Sequence, residues 1–306
     1  MNLNLIKSLM NQIHTEQNLC NWAKVYSCLT WQKLKFARLV KARLTETTIT
    51  QDLAFEFSLM ALSRELPVKL YEARDEKANG NDFELFIETE KGYVLFPVQA
   101  KLLYKSNKYE KIPHSSSGKS QIDSLLNYSK KRGGIGLYLF YNYHPHFALY
   151  EDDNLLGDHQ MELYGLSFCL ALHVKNKFYR KSLATPYQWK WRVPSFYDIH
   201  PAYGFPFHVL FSSLIDGDSE EWTKFFEATP TIMDNVIYYD KKQIKDDINW
   251  KDIAPLPSIS GIPIPVNPKI RERDDQFFLQ ENFMFNPKFR IVFSKEIETS
   301  ILFRVS

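Results

Sequence analysis

Two stretches of alternating sequence joined by a glycine-containing turn constrain this 306-residue chain most: Asp82-Phe83-Glu84-Leu85-Phe86-Ile87-Glu88 and Tyr93-Val94-Leu95-Phe96-Pro97-Val98-Gln99-Ala100-Lys101. Side chains alternate faces along a strand, so Asp82, Glu84, Phe86 and Glu88 share one face and Phe83, Leu85 and Ile87 the other. On the second stretch Val94, Phe96, Val98 and Ala100 form the apolar set, and Gln99 and Lys101 project together to the opposite side. Thr89-Glu90-Lys91-Gly92 supplies a short connection whose glycine tolerates positive φ. The spacing predicts an antiparallel hairpin that brings Asp82 near Gln99 and Lys101, with one apolar face and one face carrying carboxylates.

That triplet has chemical content. A carboxylate and an amide oxygen can hold a hard divalent cation such as Mg²⁺, which takes oxygen ligands and keeps several waters. Lys101 would add positive charge where negative charge accumulates on a phosphate under attack. The flanking sequence predicts the elements that carry the hairpin. Thr50-Gln51-Asp52 can cap a helix from Leu53 to Leu66, ended by Pro67, and Val68 to Ala73 alternates as a strand. After the hairpin, Gly118-Lys119-Ser120-Gln121 leads into Ile122, Leu125, Leu126 and Tyr128 at roughly helical spacing. Gly133-Gly134 stops that helix, and Ile135 to Tyr141 reads as a strand buried on both faces.

With these residues in place, the chain resembles the PD-(D/E)xK nuclease superfamily in its variant with Gln in place of the second acid, the motif positions falling on Asp82, Gln99 and Lys101. It departs from the pattern in two ways: no Pro precedes Asp82, and Gln99 brings no charge to a metal. The superfamily order of helix, three strands, helix, strand matches the predicted succession. The resemblance therefore implies an α/β fold with a restriction-endonuclease-like core, α-β-β-β-α-β, its mixed sheet flanked by helices and carrying N-terminal helical and C-terminal extensions. A pattern similar to an uncharacterised bacterial family of that fold runs from about Glu46 to Phe211. It includes Val98 to Lys101, Gln121-Ile122-Asp123, Leu139 to Asn142, Tyr164 to Ala171 and Pro206 to Leu210. The implied activity is hydrolysis of phosphodiester bonds by a metal-dependent endonuclease using Mg²⁺ or Mn²⁺, acting on DNA ahead of RNA, in bacterial defence against foreign DNA. The alternative is a nuclease-fold module that binds nucleic acid or a partner with weak or no catalysis. Either leaves room for a homodimer or an activating partner protein.

Several residues are candidates around the triplet. Glu56, between Phe55 and Phe57 on an apolar helix face, is costly to bury unless paired or bound to a cation, so it is a candidate further metal ligand. Glu46 is its rival, with a favourable charge near a helix N-terminus as the plainer reading. Gln121 could touch substrate or metal, or simply start its helix. Lys105, Lys108 and Lys119 crowd the segment leaving Lys101, in a polar loop that could close over a substrate strand. Lys33, Lys35, Arg38, Lys41 and Arg43 form a second basic cluster, which a solvated helix face also explains.

Composition sets wider bounds. A chain 44% hydrophobic can bury a substantial core, and its net charge of +2 does not by itself announce a nucleic-acid binder. The 23 Phe and 17 Tyr read as packing before base-stacking platforms. Cys20, Cys28 and Cys169 lack paired metal-ligand spacing and fit reduced thiols in a cytoplasmic protein. No apolar run approaches the length of a membrane span. His144-Pro145-His146, His200 and His208 show neither metal spacing nor a triad order. Three stretches are expected: an N-terminal helical region over 1–45 with helices at Leu5, Leu9, Ile13 and around Trp31 to Leu44, a nuclease-like core over 46–180, and an extension over 181–306. The extension contains a proline-punctuated segment from Pro255 to Pro268 and terminal strands at Phe289 to Phe293 and Ile301 to Val305.

Overall fold

A computed structural model describes residues 3–16, 18–63, 67–73, 82–113, 115–116, 119–146, 161–181, 189–212, 236–247, 250–252 and 289–294. In chain order they form α1 (Leu3–Ile13), α2 (Leu19–Leu39), α3 (Glu46–Ser63), β1 (Val68–Ala73), β2 (Asp82–Thr89), β3 (Gly92–Leu102), β4 (Ser115–Ser116), β5 (Lys119–Ser120), α4 (Gln121–Arg132) and β6 (Leu137–Tyr141). There follow β7 (Leu166–Leu170), α5 (Ala171–Phe178), β8 (Tyr179–Lys181), β9 (Trp189–Trp191), α6 (Phe196–Ile199), β10 (Phe205–Pro206), β11 (Tyr238–Tyr239), α7 (Lys241–Lys245), β12 (Trp250–Asp252) and β13 (Phe289–Phe293). The expected succession of helix, three strands, helix and strand is present as α3, β1, β2, β3, α4 and β6. The expected strand from Ile301 and the prolines from Pro255 to Pro268 lie outside the described residues, as do Asn79, Gly80 and Asn81.

One mixed sheet organises the described residues, in the order β10-β7-β6-β3-β2-β13-β1-β12, with β11 beside the start of β3. Helices flank both faces, so the chain is α/β. The hairpin has the register its alternation dictates: Asp82 opposite Gln99, Phe83 opposite Val98, through to Thr89 opposite Gly92. Gly92 turns the chain at φ +125°, where a β-carbon would also meet the Tyr239 carbonyl oxygen at 2.9 Å. β6 runs parallel to β3 with Gln99 opposite Tyr138 and Lys101 opposite Phe140, and every residue of β6 is buried.

One sheet face carries Phe83, Leu85, Ile87, Val94, Phe96, Val98 and Ala100 into a core shared with Trp22, Leu53, Phe57 and Phe293. Each of these Val, Leu, Ile and Phe side chains contributes about 1.5–3 kcal/mol by leaving water. The opposite face, expected to be polar, is buried too. Phe86, Tyr93 and Leu95 pack there with Tyr71, Ile244 and Val292, and further along the sheet Ile122, Leu125, Tyr138, Phe140 and Phe178 form a second cluster beneath α4 and α5.

Three features differ from the predicted layout. β13 sits between β1 and β2, antiparallel to the first and parallel to the second, so the C-terminal stretch completes the sheet and successive strands are separated by a distant one. α2 begins at Leu19, capped by Asn18, whose side chain accepts from Asn21 N at 3.0 Å, and ends at Leu39, short of Leu44. Its first half, with Trp22, Val25, Tyr26 and Thr30, is rich in aromatic and β-branched residues that do not announce a helix, yet burial on the core overrides propensity. α3 begins at Glu46 rather than Leu53, where Thr45 Oγ1 accepts from Thr48 N at 3.2 Å. No helix among the described residues is long and apolar enough to cross a membrane, and Cys20, Cys28 and Cys169 form no disulfide with one another.

Candidate active site

The early start of α3 decides which acid approaches the triplet. Glu46 opens that helix and lies at the carboxyl end of β3, where its Oε2 accepts from Leu102 N at 3.2 Å and its Oε1 lies 4.0 Å from Lys101 Nζ. Gln121 opens α4 from the other side, and its Oε1 accepts from Lys101 Nζ at 3.0 Å. Thr50, one turn into α3, holds the Tyr141 hydroxyl at 2.9 Å and fixes the helix start against β6. Burial pushes the Tyr141 hydroxyl well above its ordinary range, so it stays a neutral donor or acceptor. Two helix N-termini, each with a partial positive charge, thus converge on one buried lysine.

Lys101 is 3% exposed and Glu46 7%. At 4.0 Å their attraction amounts to about 4 kcal/mol at an effective dielectric of 20, against several kcal/mol per ion of desolvation. The separation is well beyond the 2.7–2.9 Å typical of a charge-assisted hydrogen bond. The Lys101–Glu46 contact is thus an ion pair without a direct short hydrogen bond, and the short bond of Lys101 goes to Gln121.

Gln99 adds a second unmet demand. Its side chain shares a strand face with Lys101, it is 4% exposed, and its Oε1 has no hydrogen-bond partner among the described residues. A buried amide oxygen left so costs about 1–3 kcal/mol. Ser120, the residue before Gln121, is a helix cap whose hydroxyl makes no capping bond and is also buried without a partner. The register puts Asp82 directly across from Gln99, while its side chain lies outside the described part.

The structure distributes the remaining candidates unevenly. Glu56 lies about 15 Å along α3 from Glu46, ten residues at 1.5 Å each. Burial raises its carboxyl pKa, and the charges that bear on it are His14, Asp52 and Lys33, none of them part of the triplet. The structure thus brings Glu46, and not Glu56, to Lys101. Phe55 and Leu59, expected to line an apolar face around Glu56, are exposed, whereas Leu53 and Met60 are buried. Lys105 and Lys108 are exposed on the loop that leaves β3. Lys119 lies in β5, with its side chain outside the described part.

Two polar clusters were not evident from sequence. On β2, two residues from Asp82, the fully buried Glu84 takes Arg290 Nε on Oε2 at 2.8 Å and the Tyr128 hydroxyl on Oε1. Arg290 also donates to Asp247 Oδ2 at 2.9 Å and to the Ile244 carbonyl at 3.2 Å. Elsewhere Ser167 Oγ lies 2.7 Å from His200 Nε2, with Asn142 bonded to Ser167 at 2.9 Å and to the Tyr109 hydroxyl at 2.7 Å. A serine beside a histidine invites comparison with a nucleophile pair. Here the second ring nitrogen faces the Phe196 carbonyl and the Tyr109 hydroxyl rather than a carboxylate, and both residues are buried. Burial lowers the His200 pKa to about 3, too weak a base near neutrality, so this cluster is a satisfied core network.

Metal-binding capacity rests on oxygen donors. Among the described residues no group of three or more His, Cys, Asp or Glu side chains is placed to hold a metal ion. Gln99 Oε1, unpartnered and facing the same side as Lys101, nevertheless fits one hard-oxygen donor, and Asp82 stands across from it in register. Such a sparse set suits Mg²⁺, which keeps several waters and binds through one or two carboxylates plus substrate phosphates.

No curated protein and no solved structure matches the chain. The sequence model of one protein family, described as a family of unknown function (DUF6615), matches residues 19–282, which include every candidate residue above, and the chain belongs to that family.

Proposed function

We propose that this protein is a metal-dependent nuclease with a restriction-endonuclease-like core, hydrolysing phosphodiester bonds in DNA from the cytoplasm in defence against foreign DNA. One observation carries the reading: a buried lysine and a buried amide oxygen without a partner among the described residues sit two residues apart on one face of β3, with Asp82 across from the amide in register. An ordinary sheet has no reason to keep that amide oxygen unmet among its described neighbours, whereas a site for a phosphate and a cation does.

In this reading Lys101 holds the negative charge that develops on the phosphate, and Gln121 Oε1 aims the ammonium group. Glu46 ties the backbone at Leu102 and limits the cost of burying Lys101. Gln99 and Asp82 would hold Mg²⁺ or Mn²⁺. When bound, the cation would supply Lewis-acid charge and lower the pKa of a coordinated water.

Incubating the purified chain with supercoiled plasmid, single-stranded DNA and RNA in Mg²⁺ or Mn²⁺, beside an EDTA control and Lys101→Ala, tests this. Metal-dependent cutting that disappears in the variant is the expected result. Full activity in Lys101→Ala would rule the site out. The contact between Lys101 and Glu46 favours a second reading, in which the lysine is partly neutralised and the fold only binds nucleic acid; binding with no turnover in either metal would select it.

A further inference from the structure

The chain as a whole is nearly neutral, with 38 basic and 36 acidic residues, yet charge is segregated beside the site. Lys35, Lys41 and Arg43 are exposed at and just after the end of α2, and the stretch 35–43 contains no acid. Lys105, Lys108 and Lys111 are exposed on the loop following β3, where 103–113 holds one acid, Glu110, whose Oε1 accepts from Ser106 Oγ at 2.5 Å. None of the six cations forms an ion pair among the described residues. Unpaired like charges so close together repel one another and lower stability unless a polyanion neutralises them.

Arg38 joins the two segments. Its guanidinium donates to the carbonyls of Leu103 and Tyr104 at 3.0 and 3.1 Å and lies over the Tyr143 ring at 5.3 Å. The loop itself is fixed. Tyr109 and Ile112 are fully buried, Tyr109 N donates to the Pro194 carbonyl at 2.9 Å, Phe196 N donates to the Asn107 carbonyl at 3.0 Å, and Lys108 forms a β-bridge with Ser195. Residues 103–113 are thus pinned, and the backbone that carries these cations is positioned before any ligand arrives. Preorganisation of this kind reduces the ordering cost of binding.

We infer that the end of α2 and the 103–113 shelf form one surface for a nucleic-acid backbone, laid so that a strand passes over Lys101. Free phosphate or a mononucleotide would engage few of the six cations, whereas a polynucleotide engages many at once. An anionic membrane is disfavoured because the exposed apolar residues here, Leu39 and Val40, form no stripe along α2, whose other apolar side chains turn inward. The placement over Lys101 rests on the proposed nuclease reading; the binding surface does not.

The test is anisotropy of a labelled single-stranded oligonucleotide and its duplex, in EDTA to prevent turnover, across about 50 to 200 mM salt. The chains compared are the wild type, Lys41→Ala with Arg43→Ala, Lys105→Ala with Lys108→Ala, and a control pair, Lys130→Ala with Lys131→Ala, at the far end of α4. Each rim pair should weaken binding several-fold per charge and flatten the dependence of log K on log salt by about 0.7–0.9 per lost phosphate contact. The control should bind as the wild type does. Unchanged slopes in the rim pairs, an equal loss in the control, or binding to anionic phospholipid vesicles with none to oligonucleotide would each overturn the inference. Rim-dependent binding with no cutting would remove the nuclease reading and leave the surface; cutting with rim-independent binding would do the reverse.

Discussion

Two buried cations, Arg290 on β13 and Lys101 on β3, lie in one sheet with β2 between them and are treated in different ways. Arg290 has all three guanidinium nitrogens bonded, and Glu84 has both oxygens bonded. Lys101 has one short bond and a carboxylate at 4.0 Å, beside an amide oxygen with no partner among the described residues. Satisfaction of every group marks an ion pair that fastens the C-terminal strand into the sheet. Incomplete satisfaction at Gln99 is what the proposed ligand site would use.

The largest expected effect breaks the closed cluster. Arg290→Ala leaves Glu84 buried and uncompensated and should cost about 3–5 kcal/mol in urea unfolding. The core histidines come next. Burial lowers the pKa values of His200 and His208 to about 3, so both are neutral when folded. The unfolded chain takes up protons near pH 6.5, so their contribution is complete above that pH and is lost as pH falls toward 3. The loss is about 2 kcal/mol per histidine by pH 5, visible as a falling Tm. His200→Gln should flatten that fall.

The open cluster should respond in the other direction. Gln99→Leu removes a buried unsatisfied oxygen at similar volume and is expected to raise stability by about 1–2 kcal/mol while abolishing activity. Lys101→Met, by contrast, leaves Glu46 buried beside a neutral side chain but still bonded to Leu102 N, so it should lower stability by about 1 kcal/mol, well short of Arg290→Ala.

The hairpin was legible because period-2 alternation fixes both face and register, and Asp82 does stand opposite Gln99. Local sequence hid the choice between Glu46 and Glu56. Thr50-Gln51-Asp52 offers a helix cap, so the expected start falls at Leu53 and Glu46 stands only as the rival of Glu56, whereas α3 opens at Glu46 itself. The place of β13 was hidden for a different reason. Phe289 to Phe293 reads as a strand, but its pairing with β2 joins residues about two hundred positions apart, and the Glu84–Arg290 pair that holds it exists only once that pairing forms. The unpartnered Gln99 oxygen and the Ser120 hydroxyl have no sequence signature, since an unmet bond depends on every neighbour.

The most direct measurement pairs cutting with stability in the same preparations of wild type, Gln99→Leu and Lys101→Met. The expected result is Mg²⁺-dependent cleavage of DNA by the wild type alone, with both variants folded and Gln99→Leu at least as stable. Variants that cut as well as the wild type, or that lose activity only by unfolding, would contradict the assignment of this buried lysine and glutamine to a working site.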